Sequence, residues 1–155
     1  MVIKRKKGEI GMNKETKGWF VSRGGGNVRD KNGNIIPKYL YVWIYDSIKT
    51  RNVRKEKHQY EGKKHREVFG VNQKILIKRV DKIQNMEEVF TILQQKAYQF
   101  FLKNLYHDPS HYQMTEEQQE ARKQKLLRKA SEFANEKVQT IIRDWSKIKE
   151  EAYKE

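Results

Sequence analysis

The chain has 155 residues, 36% of them hydrophobic and 35% charged, and a formal net charge of +14. That length suits one compact domain, or a small domain with a helical extension. The absence of cysteine excludes disulfides and thiolate zinc sites.

The charge is unevenly placed. Residues 1–79 hold 21 Lys/Arg against 7 Asp/Glu, whereas residues 80–155 hold 13 of each. A single-sign field confined to one half attracts polyanions and repels itself in the compact state, and phosphate neutralisation is the usual reason to keep one. A solvated basic surface with no partner explains the asymmetry less well. The longest apolar run, Tyr39 to Tyr45, is too short to span a bilayer, and no strongly amphipathic basic helix suggests binding to a membrane surface. No signal peptide is expected, so the expected location is intracellular (cytoplasm or nucleoid) or within a virion.

Residues 1–17 read as a basic flexible arm built on Lys4, Arg5, Lys6 and Lys7. The run suits a phosphate backbone, a targeting signal or a frayed solvated tail. Gly18 to Ser22 is a short strand with Trp19 and Val21 on one side and Phe20 on the other. Arg23 to Pro37 reads as a mobile loop, with a hairpin turn at Asp30-Lys31-Asn32-Gly33-Asn34. Its three consecutive glycines lack the Gly-Lys-Ser/Thr of a phosphate loop and the spacing of a dinucleotide fingerprint.

Residues 38–46 carry the clearest strand pattern. Side chains alternate across a strand, so Tyr39, Tyr41, Trp43 and Tyr45 share one face and Leu40, Val42 and Ile44 the other. The aliphatic face suits packing against a helix. The aromatic face suits either a second core layer or an amphipathic surface. The cationic run Val53 to Tyr60 and the segment His65 to Phe69 are further strand candidates. Val71 to Ile83 mixes both periods: Ile75 and Ile77 alternate, while Leu76, Val80 and Ile83 fit a helix, and we read it as helix.

Asn85 to Leu105 is a helix with Asn85 as N-cap and Glu88 at the capping-box spacing. Met86, Phe90, Leu93, Ala97, Phe101 and Leu105 form its core stripe, widened by Val89, Ile92, Phe100 and Leu102. A second capping box, Thr115 with Gln118, starts a long last helix. Leu127, Ala134, Ile141 and Ile148 recur every seven residues, as do Val138, Trp145 and Ala152. This seam needs a partner helix, either the first helix or another copy of the chain.

The expected fold is α+β: a small antiparallel β-sheet of three or four strands followed by two or three helices, the last one long. The expected organisation is an arm over 1–17, a basic sheet region over 18–70 and a helical region over 71–155.

Three chemistries are open to these residues. The first is nucleic-acid binding, with Lys and Arg on phosphates and Tyr and Trp on bases or sugars. Its contact set is Lys4, Arg5, Lys6, Lys7, Arg23, Arg29, Lys31, Tyr39, Tyr41, Trp43, Tyr45, Arg51, Arg54, Lys55, Lys57, Lys63, Lys64 and Arg66. The second is a metal nuclease using Asp46 and Glu61 with Lys63, which fits poorly because Gly62 places that segment in a turn. The third is histidine metal binding. Pro109 opposes the helix that would align His107 with His111, and His58 and His65 are isolated, so capping or solvated histidines are expected. No serine stands in a nucleophile elbow. The expectation is a non-enzymatic protein with no cofactor.

Lys31-Asn32-Gly33, then Tyr39 through Ser47, then a basic second strand and a helix, resemble the arm-type DNA-binding domains of mobile-element integrases over about residues 17–70. The resemblance implies a three-stranded sheet lying against DNA with a helix packed behind. It also implies a stand-alone accessory protein of a virus or mobile element, since that family's catalytic domain is absent. The expected function is binding of duplex DNA, in preference to RNA, mostly through phosphates. A protein coating a viral genome, or an inhibitor or subunit filling the nucleic-acid channel of a larger machine, remain alternatives.

Overall fold

A computed structural model describes residues 18–46 and 71–155. Strands β1 (Phe20–Ser22), β2 (Tyr39–Asp46) and β3 (Val71–Arg79) form an antiparallel sheet in the order β1-β2-β3. Helices α1 (Met86–Tyr106), α2 (Glu116–Arg143) and α3 (Trp145–Ala152) follow, with 3-10 turns at Val80–Lys82 and Pro109–Gln113. The class is α+β, as the sequence indicates. The strand candidates Val53 to Tyr60 and His65 to Phe69 lie outside the described residues.

Val71 to Arg79 is a strand, which corrects the helical reading and carries the sheet past residue 70. Inward-facing Ile75 pairs with Val42, and Leu76, needed for a helical stripe, is exposed. The alternation is masked by a β-bulge. Tyr41 faces Leu76 while Leu40 faces Lys78, so Ile77 is an extra residue. A bulge turns two successive side chains to one side. Ile77 is buried in the core, and Lys78 is ion-paired with Glu88 of α1.

One core lies between the sheet and the helices. The sheet side contributes Trp19, Leu40, Val42, Ile44, Ile75 and Ile77. The helices contribute Val89, Leu93, Ala97, Phe100 and Phe101 from α1, Leu126, Ala130, Ala134, Val138 and Ile141 from α2, and Ile148 and Ala152 from α3. The aliphatic face of β2 therefore packs inward. Ala97, Ala130 and Ala134 are fully buried small residues that let α1 and α2 approach closely.

Both helix starts behave as their sequences dictate. Asn85 Oδ1 accepts from Glu88 N at 2.8 Å, although the Glu88 carboxylate accepts from Gln84 N rather than closing a full capping box. Thr115 and Gln118 form the reciprocal box, at 3.0 and 3.1 Å. The long helix breaks at Asp144, which caps both α2 and α3. The Asp144 carboxylate accepts from Arg143 and, at 2.8 Å, from Trp19 Nε1, and these bonds hold its pKa down to about 2.

The seam of the last helices also shifts. Leu126 is buried and Leu127 is 37% exposed, so the α2 stripe runs Leu126, Ala130, Ala134, Val138, Ile141. Four-residue steps suit a straight helix packed on a neighbour, where seven-residue repeats suit a supercoil. Ala134, Val138, Ile141 and Ile148 are buried within the chain, so α1 and the sheet take the place of a second copy, and Trp145 packs against the same core.

Candidate nucleic-acid interface

Among the described residues, the helices pack against the inner face of the sheet. Tyr39, Tyr41, Trp43 and Tyr45 project from the other face, with Tyr39 and Tyr45 exposed and Tyr41 and Trp43 partly so. β1 completes the outer face, because Phe20 pairs with Tyr41 across the strands. The Phe20 and Tyr41 rings stack at 5.0 Å with 9° between their planes, and Phe20 stacks on Trp43 at 5.7 Å and 27°. Offset, near-parallel rings of this kind are a favourable aromatic arrangement.

β3 supplies the other border. Lys74 stands opposite Trp43, with Nζ 5.2 Å from the centre of the Tyr41 ring. Between β1 and β3, above Trp43, runs an open trough of about 560 Å³ lined by Phe20, Val21, Ser22, Trp43, Asn72, Gln73 and Lys74. None of these residues is acidic. The Trp43 Nε1–H is buried and, among the described residues, has no hydrogen-bond partner.

The structure sorts the expected contact residues. The four aromatic residues of β2 are brought together on the open face. Lys31 lies exposed at the tip of the small hairpin, where Asp30 and Asn34 are hydrogen-bonded and Gly33 takes φ 85°. Arg29 bonds the Gly33 carbonyl and pairs with Glu155 at 3.1 Å. Arg23 does structural work: its guanidinium donates to the carbonyls of Ile36, Lys154 and Glu155, tying the 23–37 segment to the C-terminus. These bonds fasten at both ends a stretch that the sequence suggested was mobile. Lys4, Arg5, Lys6, Lys7, Arg51, Arg54, Lys55, Lys57, Lys63, Lys64 and Arg66 lie outside the described residues, as does Glu61 of the nuclease alternative.

Sequence reasoning missed Lys74, Asn72 and the part played by Phe20. A strand reading of 71–79 would have placed Lys74 beside the aromatic row.

Among the described residues, no group of three or more His, Asp or Glu is arranged to hold a metal ion. His107 is the C-cap of α1. His111 is buried in the following turn, against the edges of the Tyr106 and Tyr112 rings and 3.5 Å from Arg122 Nη1. Among the described residues, no helix is long and apolar enough to cross a membrane. No family model, curated protein or solved structure matches the chain.

Proposed function

We propose that this chain is a non-enzymatic nucleic-acid-binding protein that lays the outer face of its sheet against the polymer. The observation that carries the reading is the coincidence of charge and open face. Residues 1–17, which lead into β1, and residues 47–70, which join β2 to β3, hold 14 Lys/Arg against 5 Asp/Glu. The excess charge is thus attached in sequence to the strands whose outer face is aromatic, lies opposite the described helices and is edged by Lys74.

Phosphate contacts give affinity without base preference, and they serve duplex and single strand alike. The expectation of duplex DNA rests on the charge and on the resemblance to arm-type domains, as does an accessory role in a virus or mobile element. That resemblance implies a sheet with a helix packed behind it, and the described helices pack against one face of this sheet. Self-association through the α2 seam is not part of the proposal, because the seam is filled within the chain.

The test is a salt titration of binding to labelled duplex DNA, single-stranded DNA and duplex RNA. For roughly six neutralised phosphates at about 0.9 each, log K falls against log salt with a slope near −5. A flat salt response, or no binding to any polymer near physiological salt, would reject the reading.

A further inference from the structure

The trough over Trp43 has features that phosphate binding does not call for. Its floor is an aromatic face made from two strands, with Phe20 stacked on both Tyr41 and Trp43. Its β3 wall carries the Asn72 side-chain amide beside the Lys74 ammonium, both on the outer face in register with Tyr45 and Trp43. Amides both donate and accept hydrogen bonds, as base edges require, and ammonium groups pair with phosphate. The volume, about 560 Å³, falls within the range typical of small-ligand sites, and none of the described lining residues is acidic.

Trp43 adds a second argument. An orphaned buried N–H destabilises a fold, and phenylalanine at this position would avoid it. The indole contributes something else there: the broadest π-face of any side chain, partly open to the trough.

We infer that this trough takes an unpaired nucleobase, so that the open sheet face binds single-stranded nucleic acid by stacking on Trp43 and Phe20, with Lys74 on the adjoining phosphate. The inference rests on the nucleic-acid reading and narrows it, because a base inside an intact duplex has no free face to offer.

The test compares two fluorescent strands of equal length and charge at matched salt, an oligothymidylate of about 12 nucleotides and an abasic strand. The expected result is about tenfold tighter binding of the thymidylate by the native chain, the size of one or two stacked bases. Trp43→Leu brings the two strands within about twofold of each other. If Trp43→Leu does not give a cooperative melt, Phe20→Leu reports the same loss from the edge of the floor.

Equal affinity for both strands in the native chain overturns the stacking inference while leaving phosphate binding intact. So does an undiminished preference in both leucine variants, or tighter binding of a duplex of the same sequence. Failure to bind any strand overturns the functional reading as well.

Discussion

Replacing Asp144 by alanine removes the acceptor for the indole of Trp19, a fully buried side chain at the start of β1. A hydrogen bond to a charged group contributes about 1.5–3 kcal/mol. The Asp144 carboxyl is held down from 3.8 to about 2, first by the Arg143 hydrogen bond and then by that of Trp19. At 1.36 kcal/mol per unit, that difference corresponds to ~2.5 kcal/mol before screening. The largest contribution comes from Arg143, whose side chain is 67% exposed, and that contribution is screened by water. We therefore expect Asp144→Ala to lose about 1.5 kcal/mol at pH 7, the lower end of the range for a hydrogen bond to a charged group. A depressed carboxylate contributes its full stability above the unfolded pKa and loses it as pH falls through the folded one. Urea unfolding of the native chain and the variant at a series of pH values isolates this group from the other carboxylates. The difference between the two should be constant from pH 7 to near pH 4, then shrink as the pH approaches 2. Asp144→Asn keeps an oxygen for Trp19 and should lose less. A difference below about 0.5 kcal/mol at pH 7, or one unchanged at pH 2, would refute the argument.

Three further outcomes check the packing. Leu126→Ala should cost about 2–4 kcal/mol, while Leu127→Lys should stay within about 0.5 kcal/mol of the native chain; equal losses in thermal or urea melts would restore the seven-residue seam. Arg23→Ala should speed amide hydrogen exchange in residues 23–37 and at the C-terminus, and should weaken DNA binding little; a large affinity loss with unchanged exchange would make Arg23 a phosphate contact after all. Thr115→Ala should lower stability by about 1 kcal/mol through the lost cap, and a neutral result in the same melts would contradict the reciprocal box.

The legible parts of the sequence are those where one local rule acts alone. β2 splits cleanly into aromatic and aliphatic residues at a period of two, and its burial follows that split residue by residue. The starts of α1 and α2 are written in Asn85 and Thr115. Misreading came where two patterns overlap. In β3 the bulge at Ile77 interrupts the alternation, and Leu76, Val80 and Ile83 imitate a helical stripe. Lys74 was missed for that reason. Leu126 and Leu127 are adjacent, and only packing against α1 selects the first. Arg23 looked like a phosphate ligand because its partners, the carbonyls of Lys154 and Glu155, lie at the far end of the chain. The aromatic face itself was legible; its outward orientation follows from helices gathering on the opposite side.

The most direct test of the central claim is to map amide and indole chemical shifts as a DNA strand is added. We predict that Phe20 to Ser22, Trp43 and Asn72 to Lys74 move together. The Trp43 indole resonance should shift, while that of Trp19, tied to Asp144 inside the core, should stay in place. Shifts confined to the exposed surfaces of α1 and α2, with the Trp43 indole unmoved, would contradict the account.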